Sequence, residues 1–378
     1  MPILPNPHRY LPDADGLRAI AVLALVLFHL ETPGFSGGFV GIDIFFVISG
    51  FLLSAILLDH VDRGTLNVAV FYGSRILRLL PALLATVAVT AIAALVLSSP
   101  LALQDFGRSA LATIFGVANI VAYAESQQIA NGVVKPLKHM WSLGIGAQFY
   151  VLWPLLLWLL TQYMARRGLL ISLSLILGLS LAASVLYTDA NQPAAFFLLP
   201  FRLWQFCLGA LTLILWRSQV LAVFTQQLLR SAGLALCCVA IVSFADISHF
   251  PGWQALVPSV GAAMVLLGAS PDDPSPVLGN RPARWLGSIS YSMYLVHWPA
   301  MTLYLAVVHD VITDATRLSL AVLILVCTLS LHYGVTCRRY RLEAPHTDCW
   351  NAAARRTLVL SLLMGVSMAA LWLYPISE

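Results

Sequence analysis

The chain has 378 residues, 60% of them hydrophobic and only 10% charged, with a mean hydropathy of +0.85. A soluble globular protein carries about 25% charged residues, so this composition excludes one and indicates an integral membrane protein. The net charge of +4 says little by itself and no nucleic-acid partner is expected; the six cysteines form no CxxC pair or Cys/His cluster, so neither a metal nor a disulfide framework is expected.

The proline-punctuated lead-in, MPILPNPHRYLPDADG, has no uninterrupted apolar core and reads as a short cytoplasmic segment rather than a cleavable signal peptide. Apolar segments then follow at about 17–30, 38–58, 76–98, 107–123, 141–162, 168–187, 196–216, 230–247, 253–269, 286–309, 315–337 and 357–374. Most reach membrane-spanning length and none alternates as a barrel strand would, so the fold class is an all-α polytopic bundle. If every segment crossed, lysines and arginines would gather outside, against the positive-inside rule. Letting 107–123 dip in and return, or lie flat, reverses that bias. The expectation is therefore about 11 transmembrane helices with a cytoplasmic N-terminus and an extracytoplasmic C-terminus. Residues 1–345 would form the main bundle, and 346–378 a cytoplasmic linker plus one additional helix. No connecting loop is long enough to be a soluble domain.

The organising stretch is DADGLRAIAVLALVLFH, residues 13–29. Arg18 and His29 lie eleven residues apart, roughly 16 Å along a helix, or about half the hydrocarbon thickness of a bilayer. Ionisable groups at two such depths are costly and are kept mainly where they face a protein interior or an aqueous cavity. Arg18 snorkelling and His29 capping the other end would be the plain alternative. Arg75 and Arg78, three apart and so on one side of a helix start, fall at the cytoplasmic mouth with Arg18. His29, the block KPLKHMWSLGIGAQFY and Arg202 fall toward the outer half. Asp43 is the one carboxylate deep in an early apolar run. It is expected to orient His29, to pair with Arg18, or to cap a helix after the glycines. Ser49, in the same block, faces only roughly the same way.

In order, the blocks DGLRAIAVLALVLFH, GGFVGIDIFFVISGFLL, FYGSRILRLLPAL, PLKHMWSLGIGAQFYVLWP, FRLWQFCLGAL, SISYSMYLVHWP and RRYRLEAP resemble the membrane acyltransferase-3 family over about residues 13–345. The resemblance implies a ten-helix bundle in the bacterial inner membrane. It implies a cytoplasmic acyl-CoA donor, most often acetyl-CoA, and transfer to a hydroxyl of an extracytoplasmic carbohydrate such as lipopolysaccharide O-antigen, peptidoglycan or an exopolysaccharide. Many members add an eleventh helix leading to an SGNH-type domain. The segment LVLSLLMGVSMAALWLY suggests the membrane portion of such a protein, with that domain missing from this chain.

Acyl-CoA carries phosphates that arginine clamps through paired charge-assisted hydrogen bonds, which suits Arg75, Arg78 and Arg18. The family's Arg-x10-His motif falls on Arg18 and His29, making His29 the expected base or acyl carrier. Gly146 stands where the family pattern WSL-x-x-E-x-Q-F has a glutamate. Either another acid such as Asp43 or Glu343 serves, or the exchange was engineered to block turnover. The second account is the expectation, because every neighbouring residue is kept, and it predicts an impaired enzyme. His139, Trp141, Ser142, Gln148 and Tyr150 fit the pattern around that position, although an aromatic belt would also supply a histidine and a tryptophan. Gln205 replaces an acid often found three residues after Arg202, which argues against an ion pair there. His297, before Trp298 and Pro299, is expected to close a helix at the outer face, and Glu343 to be salt-bridged among arginines. The rival reading is a secondary transporter or flippase for a glycolipid or small solute. The absence of any repeat between the two halves speaks against it.

Overall fold

The computed structural model describes residues 10–97, 99–128, 135–218, 221–245, 249–308 and 312–336. The expected linker and helix within 346–378, Glu343 and its neighbouring arginines all lie outside these residues. Every regular element described is helical. Among the described residues, six helical segments are long and apolar enough to cross a membrane: Gly38–Asp62, Val68–Leu97, Lys138–Tyr163, Arg166–Ala190, Val223–Ser243 and Asp314–Thr336.

The elements are α1 (Pro12–His29), α2 (Gly41–Asp62), α3 (Val68–Leu97), α4 (Pro100–Ile114), α5 (Ala118–Ser126), α6 (Trp141–Tyr163), α7 (Arg166–Ala190), α8 (Gln192–Phe197), α9 (Leu203–Ser218), α10 (Val223–Ser243), α11 (Leu256–Gly268), α12 (Arg281–Val308) and α13 (Asp314–Leu331). They divide into two compact units. One comprises residues up to Leu66 with Phe149–Ser290, the other Asn67–Gln148 with Tyr291 onward, so the boundary falls within α6 and within α12.

Local chemistry explains most boundaries. α1 opens with Pro12, carries Asp13 and Asp15 in its first turn and ends on His29, matching the helix dipole at both ends. Two apolar runs that read as single segments are broken. The run at 107–123 ends α4 at Ile114 and restarts at Ala118, because Gly116 sits at φ +69, a conformation that favours glycine. The run at 196–216 splits into α8, a 3-10 turn at Leu199–Phe201 and α9. Pro200 and the non-helical Leu198 place Arg202 in that break rather than on a continuous helix.

The first unit is held by close helix contact. A Cβ on Gly50 of α2 would lie 2.1 Å from the Phe206 carbonyl oxygen, and one on Gly209 of α9 would lie 2.1 Å from that of Val47. Glycine at both positions lets the two backbones touch, as small residues do in membrane bundles. Around this notch Phe206 stacks on Phe149 at 4.0 Å, and buried Trp153 donates Nε1–H to Ser54 Oγ at 2.8 Å. In the second unit α3, α4 and the last turn of α13 gather Val87, Ala91, Phe106, Ala110 and Leu331 into one apolar core.

Candidate functional site

Eleven residues make about three turns of α-helix, so Arg18 and His29 share one face of α1 at opposite ends. Between them on that stripe lie Val22 and Leu25, both wholly buried. Arg18 Nη1 donates to Asp15 Oδ1 at 3.1 Å, and Asp15 Oδ2 accepts the Tyr10 hydroxyl at 2.6 Å. His29 is half-buried in the last turn of α1, beside a ring cluster in which Phe28 meets Phe39 at 5.5 Å and Phe39 meets Phe250 at 4.9 Å.

Asp43 corrects the sequence reading. It bonds neither Arg18 nor His29. Its Oδ1 accepts Arg202 Nη1 at 2.7 Å and Gln205 Nε2 at 2.5 Å, and both charged side chains are 1% exposed. Arg202 also gives Nε–H to the Phe196 carbonyl at 3.2 Å, and its guanidinium lies 5.2 and 5.4 Å from the Phe196 and Phe250 rings. Gln205 further donates to Ser259 Oγ at 3.1 Å. The expected weakness of an ion pair at Arg202 is therefore also corrected. The acid arrives from α2, and the amide at Gln205 serves as a donor that a second carboxylate could not be while ionised. Ser49, six residues from Asp43, points about 120° away from it around α2. Tyr150 is half-buried beside Phe149.

The second unit holds the remaining candidates. Arg75 and Arg78 lie in the second and third turns of α3, which begins eight residues before the expected segment. Arg75 is half-buried, with its guanidinium 5.7 Å from the Phe71 ring, and Arg78 is exposed. His139, Ser142, Tyr294 and His297 form a buried polar cluster. The Tyr294 hydroxyl donates to the His139 carbonyl at 2.6 Å, so its single proton is committed and Ser142 Oγ must be the donor in their 2.6 Å contact. His297 Nδ1 donates to the Tyr294 carbonyl at 2.6 Å, which leaves Nε2 of the neutral ring as the nitrogen with a lone pair. The His139 and His297 rings meet edge to face at 5.1 Å. His297 does not close a helix. α12 runs on through Pro299 to Val308, with the Thr302 hydroxyl taking up the Trp298 carbonyl at 2.8 Å.

Trp141 is buried at the start of α6, and Gln148 pairs with Asn119 of α5, donating Nε2–H to Oδ1 at 2.8 Å and to the Gly116 carbonyl at 3.3 Å. Gly144 is packed so closely that a Cβ there would lie 2.6 Å from Asn119 Oδ1, whereas a Cβ on Gly146 would meet nothing within 4 Å. A Cβ is therefore accommodated at 146 and not at 144. Sequence reasoning missed Tyr294 and Asn119. Tyr294 stood three residues before His297, on the same helix face, and Asn119 was the lone side-chain amide of its apolar run. Among the described residues no group of three or more His, Cys, Asp or Glu side chains is placed to hold a metal ion.

Residues 11–337 match a family described as an acyltransferase domain. Among curated proteins the chain is 33% identical over 317 residues to a putative peptidoglycan O-acetyltransferase, YrhL, of Bacillus subtilis, covering 78% of this chain and 49% of that one. It is 31% identical over 312 residues to the peptidoglycan O-acetyltransferase OatA of Listeria monocytogenes, covering 78% and 50%. To the O-acetyltransferase OatA of Staphylococcus aureus it is 30% identical over 305 residues, covering 77% and 50%. The chain thus spans about half the length of the curated relatives it matches. No solved structure matches it.

Proposed function

From the premise that this chain belongs to the acyltransferase family whose domain it matches, we propose that it forms the membrane part of an O-acetyltransferase. In this reading it takes an acetyl group from acetyl-CoA in the bacterial cytoplasm and passes it to a hydroxyl of an extracytoplasmic carbohydrate, peptidoglycan being favoured by the named relatives. The observation that carries the reading is the His29 imidazole on the same face of α1 as Arg18, within the matched residues.

His29 takes the proton of the acceptor hydroxyl as its oxygen attacks the thioester carbonyl. The C–S bond then breaks, and the CoA thiolate leaves and takes up a proton. In a two-step route the imidazole itself first accepts the acetyl group and then yields it to the hydroxyl. Arg75 and Arg78 hold donor phosphates through charge-assisted hydrogen bonds, and Arg18 adds positive charge on the His29 face. Asp43, saturated by Arg202 and Gln205, positions α2 and stays outside the proton transfers. The His139, Ser142, Tyr294 and His297 cluster contributes to acceptor binding, and an SGNH-type domain is the expected partner. The chain lies in the inner membrane with its N-terminus in the cytoplasm.

The test is full-length protein in liposomes, given acetyl-CoA labelled in its acetyl group and a muropeptide acceptor. Label recovered as a base-labile ester on the glycan is expected. Solute flux without acetyl-CoA, and no ester, would overturn the reading in favour of a transporter. The same assay addresses Gly146. A Cβ there meets nothing within 4 Å, and the family's glutamate suggests that this chain is an impaired variant. Gly146→Glu is therefore expected to raise transfer about tenfold or more, the lower range for one acid-base group being about a hundredfold, with melting temperature unchanged. No gain in transfer would remove the impaired-variant account.

A further inference from the structure

The end of α1 away from His29 is tied down more tightly than any motif predicts. Asp13 is fully buried, its Oδ1 accepting the Ser275 backbone N–H at 2.8 Å and its Oδ2 accepting Arg230 Nη1 at 3.2 Å. Arg230, also buried, extends Nη2 to Asp273 Oδ2 at 3.0 Å and Nη1 to the Asp273 carbonyl. Backbone presses on both sides of this turn. A Cβ on Gly16 would lie 2.1 Å from the Leu278 carbonyl oxygen, and one on Gly287 2.0 Å from that of Asp15.

Arg230 stands in the second turn of α10, and the same helix grips the chain again beyond the far end of α1. There the Ile241 carbonyl accepts the Gly37 N–H at 2.9 Å, and the Val242 carbonyl accepts the Ser36 hydroxyl at 3.2 Å. From 230 to 241 is eleven residues, a rise of roughly 16 Å along α10. α10 is thus fastened to the chain at two places, at the first turn of α1 through Asp13 and at the loop that follows α1 through Ser36 and Gly37.

We propose that Arg230 is a positioning residue, which through Asp13 fixes the axial depth of α1 and so the place of His29. The proposal rests on the reading of His29 as the base or acyl carrier. A misplacement of 1 Å at a reacting group costs about a hundredfold in rate, so a small slip of α1 is enough to be read in turnover while the bundle stays folded.

The experiment compares full-length wild type with Arg230→Gln and with the double variant Asp13→Asn/Arg230→Gln, in which a neutral amide pair replaces the ionic tie. Turnover is normalised to molecules that bind acetyl-CoA, so misfolded protein does not enter. Arg230→Gln is expected to lower kcat about tenfold or more, with KM for acetyl-CoA within twofold. The double variant is expected to recover to within about threefold of wild type. Should Arg230→Gln fail to fold, Arg230→Lys, which keeps the charge but reaches only one of the two aspartates, is expected to show the same kcat loss.

A cysteine pair, Ser36→Cys with Val242→Cys, reports the position of α1 without reference to activity. Its disulfide yield is expected to fall in the Arg230→Gln background. A kcat unchanged in the presence of altered cross-linking, or unaltered cross-linking by itself, overturns the proposal. If wild-type protein transfers no acetyl group, it is the functional reading that fails, and the cross-link alone decides whether Arg230 sets α1.

Discussion

Asp43→Ala is expected to cost about 3–5 kcal/mol of stability, because it strands the Arg202 charge in a site with no solvent access. Both side chains are 1% exposed. The Gln205 amide, deprived of Asp43, can offer Arg202 at most a neutral carbonyl oxygen in place of a carboxylate, so the charge stays uncompensated. A loss of that size is comparable with the whole margin of many domains. Detergent-solubilised Asp43→Ala should therefore show a sharply lower yield of monodisperse protein and a melting temperature lowered by many degrees. Asp43→Leu combined with Arg202→Met removes both charges and is expected to recover most of the lost stability, since apolar pairs of similar volume commonly replace buried ion pairs without loss. If the double variant is no more stable than Asp43→Ala, the pair does more than neutralise itself. If Asp43→Ala melts like wild type, the buried pair does not hold α2 in place.

His29→Gln should lower acetyl transfer by about a hundredfold to ten-thousandfold, the range for removal of a positioned acid-base group. Fold and donor binding are expected to survive, because His29 is only half-buried, at the end of its helix, and glutamine is similar in length. The measurement is labelled ester formation per acetyl-CoA-binding molecule, alongside the dissociation constant for acetyl-CoA. A glutamine variant that keeps more than a tenth of wild-type turnover would remove His29 from the mechanism. A variant that also loses donor binding would assign the imidazole to substrate contact instead. The Arg18→Ala variant separates the two ends of the stripe. It should weaken donor binding without abolishing transfer, as expected of a charge three turns from the base.

Much of the architecture was legible in the sequence, because uninterrupted apolar runs in a chain this poor in charge have few alternatives to helices. α2, α3, α6, α7 and α10 fall where those runs lie. The breaks were harder to see. Gly116 and Pro200 each interrupt a run whose hydropathy continues on both sides, and hydropathy alone does not register a positive φ or a missing amide proton. Pro299 misled in the opposite direction. A proline two residues after His297 suggested a helix end, yet membrane helices tolerate proline where neighbouring groups take up the freed carbonyls. The partner of Arg202 was sought three residues away, at Gln205, because local spacing is all that a single sequence displays. The acid that answers it lies 159 residues earlier. In helices apolar on every face no periodicity marks the side that carries a buried pair, so Asp43 could be picked out as unusual without any indication of what it meets.

That separation bears on how the protein is made. α2 leaves the ribosome and enters the bilayer long before Arg202 exists, and synthesis at about 5–20 residues per second leaves roughly 10 to 30 s in which Asp43 lacks its native partner. Asp43 lies in the first turn of α2, where an unpaired carboxylate costs less than the about 2.5–3.5 kcal/mol it would cost at the centre of an inserting helix, a penalty that roughly six leucine, isoleucine or phenylalanine residues offset. The strongly apolar sequence IFFVISGFLLSAILL that follows Asp43 supplies that margin. Substitutions that dilute it should therefore show first as failed insertion of the nascent chain, in molecules whose finished fold would have tolerated them.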